Sequence, residues 1–222
     1  MKNLLIILLT FLSISIQAQI DIGIIGGINL SSSISENIDI TNTKGETEYG
    51  IGAVVDIGLF DNLSVQMEPM YIQKGSSLTP DETNFSDYTI IVSYIELPVI
   101  LKYAYGNIFK PYVVAGGATS LKLSSEMETE VNEVKFSGNL DDVVNKIEYS
   151  LTFGGGIEFN LNSVTIFFEG RYSFSLGNQI KAGEYTIQAG QYSLTGEVED
   201  DSSYKNKGIQ IFGGVTIPLS VL

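Results

Sequence analysis

The chain has 222 residues, enough for one domain, and contains neither Cys nor His. Without Cys it has no disulfide, thiolate metal site or lipidated N-terminal Cys, and without His it lacks the usual general base and the commonest transition-metal ligand. A formal net charge of −14 opposes phosphate, so nucleic acid is not an expected partner.

Residues 1–18 read as an address. Met1-Lys2-Asn3 is a short positive start, Leu4 to Ile16 an apolar stretch, and Ala18 supplies the small residue before a cleavage site. Loss of this segment, with its Lys2, takes the net charge from −14 to −15. Beyond it no apolar run approaches the roughly 18 to 20 residues of a membrane helix, although apolar content is 44%.

The remainder of the chain alternates with period 2, the signature of strands with one apolar face. Eight such stretches appear in chain order. The first, about 20–30, sets Ile20, Ile22, Ile24, Ile28 and Leu30 against Asp21, Gly23, Gly27 and Asn29. The second, about 49–60, carries Ile51, Ala53, Val55, Ile57 and Leu59 on one face. The third, about 63–74, sets Val65, Met67, Pro69 and Tyr71 against Gln66, Glu68 and Lys74. The fourth, about 89–105, sets Ile95, Leu97, Val99, Leu101 and Tyr103 against Glu96 and Lys102. The fifth, about 109–124, sets Val113, Ala115, Leu121 and Leu123 against Ser120 and Lys122. The sixth, about 147–159, sets Tyr149, Leu151, Phe153, Ile157 and Phe159 against Glu148, Ser150, Thr152 and Glu158. The seventh, about 163–176, is the clearest: Val164, Ile166, Phe168, Tyr172, Phe174 and Leu176 against Thr165, Glu169, Arg171, Ser173 and Ser175. The eighth, about 208–219, sets Ile209, Ile211, Val215, Ile217 and Leu219 against Gln210 and Thr216.

The connections alternate. Asp61-Asn62, Gly106-Asn107 and Leu161-Asn162 are tight turns; about 31–48, 76–88, 125–146 and 177–207 are long polar loops that hold most of the excess negative charge. Short turns at one end and long loops at the other are the plan of an outer-membrane barrel. Alternation alone also fits a soluble barrel with its apolar face inside. Strand lengths that match or exceed the roughly 9 to 11 residues of a tilted crossing favour lipid outside. So do mid-strand charges, and aromatics gathered by the short turns (Phe60, Tyr103, Tyr105, Phe109 and Phe159). The expectation is all-β: an eight-stranded antiparallel up-and-down transmembrane β-barrel over 19–222, behind a signal peptide over 1–18, exported to the outer membrane of a Gram-negative bacterium.

Four stretches carry a family resemblance. They are I-D-I-G-I-I-G-G-I-N-L-S (20–31), Y-I-E-L-P-V-I-L-K-Y (94–103), K-P-Y-V-V-A-G-G (110–117) and G-G-V-T-I-P-L (213–219). In these the chain resembles the PorT-like small outer-membrane β-barrel family of Bacteroidota. The resemblance implies the same fold over the whole mature chain. Some members of that family assist a protein-secretion system.

The residues give little for catalysis. A Ser–His–acid or Asp–His site cannot form without His. The Gly clusters (Gly26-Gly27, Gly116-Gly117, Gly154-Gly155-Gly156, Gly213-Gly214) lack the spacing of a phosphate loop and read as barrel curvature. The pairs Glu148/Glu158 and Glu68/Glu96 read as lumen ion-pairing groups alongside Lys102, Lys122 and Arg171. We expect a structural network centred on Arg171, the one Arg, with Glu169, Glu148, Glu158 and Gln210 around it and Glu96 and Lys102 among its members. Glu126, Glu128, Glu130, Glu133, Asp141 and Asp142, with E-V-E-D-D at 197–201, form acidic loops without a calcium-loop pattern and read as solvated surface. No catalytic, cofactor or metal site is expected. Eight strands enclose only enough room for side chains, so a filled polar interior is expected. The functional expectation is a structural or interaction protein, its barrel held by outer-membrane lipid and its acidic loops offered to an envelope protein. The alternatives are a narrow channel or transport protein, or an accessory of an outer-membrane secretion system.

Overall fold

The computed structural model describes residues 19–36, 40–80, 87–131, 134–199 and 202–219; the expected signal peptide lies outside them. Twelve strands run in order: β1 (Ile20–Glu36), β2 (Ile40–Phe60), β3 (Leu63–Met67), β4 (Met70–Pro80), β5 (Tyr88–Ala104), β6 (Phe109–Val131), β7 (Val134–Asn139), β8 (Ile147–Leu161), β9 (Val164–Ser175), β10 (Gly183–Ala189), β11 (Tyr192–Val198) and β12 (Ser203–Pro218). All pairings are antiparallel. The last strand closes onto the first: Ile22 lies opposite Ile217 of β12 on one side and Val55 of β2 on the other. The ring runs β1-β2-β3/β4-β5-β6-β8-β9-β12, with β3 and β4 the two halves of one stave, giving eight staves.

That stave breaks at Glu68-Pro69, where Pro69 has no N–H to give the ladder. The ladder is bridged across the break. The Pro69 carbonyl accepts from the Ala53 N–H at 3.0 Å, and the Glu68 N–H donates to the Pro98 carbonyl at 3.1 Å.

At one end the staves join through short turns. Phe60 faces Leu63 across Asp61-Asn62. Leu161 faces Val164, so the turn is Asn162-Ser163, one residue later than the sequence suggests. Asn162, at φ 58°, takes the left-handed conformation that Asn tolerates well. Gly106 has φ 132°, and a Cβ there would collide with the Phe109 carbonyl oxygen, so only glycine fits the β5–β6 turn.

At the other end the expected long polar loops are largely strand. β1 and β2 run on beyond residue 31 and start before residue 49, β6 continues to Val131, and β7 folds back along it. The β10–β11 hairpin then adds to β7, giving an outer sheet in the order β6-β7-β10-β11. Ser, Thr, Val and Tyr hold these segments extended through β-propensity, without the apolar alternation that marks a lipid-facing strand. Met127, Phe136, Leu140, Val143, Val144 and Ile187 bury a small apolar core there.

Within the ring, parity separates two environments. Ile24 is 69% exposed and Phe168 57%, whereas Ile25 is 1% exposed and Arg171 2%. The outward set is apolar on every stave, and Phe60, Tyr103, Tyr105 and Phe109 stand exposed by the short turns as an aromatic girdle. The interior departs from the all-polar filling expected. Ile25, Val54, Ile72, Tyr94, Ile100, Val114, Phe167 and Phe212 are buried inside with the charges. If the outward parity of β9 meets hydrocarbon, Phe168→Arg lowers the unfolding free energy of the refolded barrel in lipid vesicles by roughly 2 to 4 kcal/mol near the midplane, measured by urea titration.

Candidate functional site

The charged residues of the lumen gather in three clusters, each one base between two carboxylates. Nearest the short turns, Lys102 on β5 reaches Asp56 on β2 at 2.9 Å and Glu158 on β8 at 2.6 Å, with Lys110 3.6 Å from Glu158 at the rim. Farther in, Arg171 on β9 sets its fork against Glu68, Nη1 and Nη2 each 2.5 Å from a carboxylate oxygen, and its Nε donates to Glu169. The guanidinium lies over the Phe212 ring, 5.4 Å from its centroid. Toward the outer loops, Lys74 on β4 stands 2.8 Å from both Glu96 on β5 and Glu148 on β8, 5.0 Å from the centre of the Tyr94 ring. Ser120 donates to Glu96 at 2.6 Å; Ser175 and Asn206 each donate to Glu148 at 2.8 Å.

The Arg171 and Lys74 clusters are nearly sealed from solvent: the Arg171 side chain is 1% exposed and Glu68 0%. Desolvating such charges costs several kcal/mol each. Each charge has a close partner of opposite sign, and Glu96 and Glu148 take added hydrogen bonds from Ser120, Ser175 and Asn206, whereas Glu169 Oε2 is buried without a hydrogen bond. Between the Lys102 and Arg171 clusters apolar side chains join the filling, beside the buried Gln66. One inward step beyond Asp56 and Lys102 come Val54 and Ile100, and one step before Glu169 comes Phe167, all buried.

Two cavities flank this filling. At the short-turn end a vestibule of about 630 Å³ is lined by Asp21, Asp56, Asp61, Lys102, Lys110 and Glu158 among others, and its floor is the Lys102 cluster. Beside Lys74 and Glu148 there is a space of only about 10 Å³, about what one water needs. At the outer end Lys122 donates to the backbone carbonyls of Asp141 and Val144 at 2.8 and 2.9 Å. Burial alone would raise the Asp141 carboxyl, but hydrogen bonds from Asn139, Ser125 and Lys122 outweigh it and hold it below the ordinary carboxylate range. Among the described residues no group of three or more acidic side chains is arranged to hold a metal ion.

The sequence reading placed Glu148, Glu158 and Glu169 around Arg171. The structure gives Arg171 to Glu169 and Glu68, and gives Glu148 to Lys74 and Glu158 to Lys102, while Glu96 pairs with Lys74 and not with Lys102. The reason is geometric. Sequence alone offers partners from neighbouring staves, whereas in a narrow barrel long side chains meet across the lumen: Glu68 and Arg171 lie on staves that are not neighbours in the sheet. Asp56 was missed, though its parity was a signal: it is the acid between Val55 and Ile57 on the polar side of β2. Lys74 was placed on the polar face but assigned no partner. Replacing Arg171 with Leu strands Glu68 and Glu169 unpaired, a loss on the order of 3 to 5 kcal/mol for a fully buried pair, and Arg171→Lys, which lacks the fork, recovers only part of it. Urea unfolding in vesicles measures both.

Residues 17–181 match the family described as Outer membrane protein beta-barrel domain. Among solved structures the chain is similar to Neisserial surface protein A, with 10% identity over 91% of this chain and 99% of that one and a TM-score of 0.47. It is also similar to OprG from Pseudomonas aeruginosa, with 11% identity over 88% and 94% and a TM-score of 0.47. The likeness to Ail of Yersinia pestis has 11% identity over 90% and 99% and a TM-score of 0.42. No curated protein sequence matches the chain. With a family match over most of its length and a closed ring of amphipathic staves, the chain belongs to the outer-membrane β-barrel domain family and resides in the outer membrane of a Gram-negative bacterium.

Proposed function

We propose that this is a barrel of structural and interaction type, without an open pore and without catalytic activity, that presents an acidic outer surface to a protein partner in the envelope. The observation that carries the reading is the obstructed lumen. Three ion clusters and buried side chains such as Val54, Ile100, Phe167 and Gln66 fill it, and the space beside the outermost cluster is about 10 Å³. A hydrated ion moving through would have to part buried pairs whose disruption costs several kcal/mol each. Kinship with the PorT-like branch rests on the four sequence stretches at 20–31, 94–103, 110–117 and 213–219 and accords with this reading.

The narrow-channel reading draws on the vestibule of about 630 Å³, whose acidic walls suit cations. It needs the Lys102 cluster to open. Purified protein in planar bilayers should therefore give no steady conductance of porin size, since side chains fill an eight-stranded interior. Stable single-channel steps would replace the structural reading with the channel one.

A further inference from the structure

The barrel abolishes its own edges, but the outer sheet does not. Among the described residues β11 (Tyr192–Val198) pairs with β10 on one side only and ends the strand order. Natural edge strands are blunted by Lys, Pro, bulges or a cover. β11 reads Y-S-L-T-G-E-V, with no Lys and no Pro, and its register with β10 is unbroken from Ala189↔Tyr192 to Gly183↔Val198.

The register also says which backbone groups have no ladder partner among the described residues. The hairpin turns through two residues, Gly190-Gln191, and Gly190 at φ 61° suits the first position of a type II′ turn. In such a hairpin the pair flanking the turn exchanges both hydrogen bonds, and bonded and non-bonded pairs then alternate. Tyr192 and Gly196 thus bond inward to β10, while Ser193, Thr195 and Glu197 point their N–H and C=O groups to the open side. The strand is held in place for this role: the Tyr185 ring covers Gly196 so closely that a Cβ there would be 2.5 Å from it, and Thr186 and Thr195 hydroxyls meet at 3.2 Å.

Charge identifies the occupant. β10 and β11 together contain two glutamates and no basic residue, and those two, Glu184 and Glu197, are direct cross-strand partners. Like charges set opposite each other destabilise a ladder, and Glu199 comes two residues later in the chain. A second copy of this edge would add more carboxylates, so self-pairing is disfavoured. A cation opposite Glu197 relieves the repulsion. The other face of the hairpin offers Tyr185, Ile187, Ala189 and Val198, which continue the apolar core of the outer sheet.

We infer that β11 is a strand-addition site for an extended polypeptide segment that alternates basic and apolar side chains. The segment adds a fifth strand to the outer sheet, its main chain bonding Ser193, Thr195 and Glu197, its basic side chains on the Glu184/Glu197 face and its apolar ones beside Val198. This names the partner chemistry of the proposed interaction role and rests on that reading.

The test uses the full mature chain refolded in vesicles and a capped peptide of alternating Lys and Val. Controls are a Glu/Val peptide and a Lys/Pro peptide of equal charge that cannot form a ladder. Fluorescence anisotropy reads affinity, and hydrogen exchange reads individual amides. The expected result is salt-sensitive binding of Lys/Val alone, with new protection at Ser193, Thr195 and Glu197 and none added at Tyr192 or Gly196. Thr195→Pro, which removes an outward N–H and leaves the β10 ladder intact, weakens binding about tenfold, the worth of roughly one net hydrogen bond. Glu184→Gln with Glu197→Gln weakens binding and flattens its salt dependence. Binding of Lys/Pro equal to Lys/Val, no change in amide protection, absence of binding, or dimers cross-linked through β11 would each overturn the inference. Heat-modifiable gel mobility checks that variants are folded, and the exchange readout on the unsubstituted protein stands if one is not. Conductance steps in the same vesicles would instead defeat the structural reading, so the two failures are distinguishable.

Discussion

A sheet that crosses hydrocarbon cannot leave an edge, because no water there can satisfy its free N–H and C=O groups. The β12–β1 ladder, sixteen registered pairs from Asp21↔Pro218 to Glu36↔Ser203, removes that edge. Once the ring is closed, every residue on a stave has one of two fates, lipid or lumen, and a one-residue slip would exchange them along the whole strand. The outward row of Ile24, Phe168 and their counterparts, and the inward row of charges, are therefore two consequences of one closure.

Closure also makes the lumen charges one another's counter-ions. Six carboxylates face three central bases, with Lys110 adding a fourth at the rim. Each base is shared between two acids, and the group in the middle is the one whose planar fork can take both oxygens of one carboxylate while Nε serves a second. The break at Pro69 sits beside Glu68, the acceptor of that fork, so the interruption of the β3–β4 stave and the main buried ion pair occupy the same level of the barrel. On the short-turn side of Arg171 the inward face carries Val54, Ile100 and Phe167 together with Gln66, which lies opposite Ile100, all of them buried.

All eight staves and their facing were legible in period-2 alternation, most clearly in Ile166, Phe168, Tyr172 and Phe174 against Glu169, Arg171 and Ser173. Two things were not. Partnership across the lumen depends on stagger and side-chain reach, which no local spacing encodes, so Glu68 could be set on the polar face but not matched to Arg171. The outer hairpins were also hidden, since the β7, β10 and β11 segments are extended by Ser, Thr, Tyr and Val without burying a regular apolar face. Ile25 and Phe167 break the simple rule that apolar means lipid. Each occupies the inward parity, where a small barrel needs volume as much as polarity.

The central claim, that one parity of the closed ring meets lipid and the other meets the lumen, is most directly tested by spin-label accessibility along β9. The chain has no Cys, so each single Cys substitution reports one position. With the protein in vesicles, labels at Ile166, Phe168, Tyr172 and Phe174 should relax strongly with dissolved oxygen, while those at Phe167 and Ser173 should be shielded from it, an oscillation with period 2. A flat profile along the strand, or greater oxygen access at Phe167 and Ser173 than at their neighbours, would contradict the account.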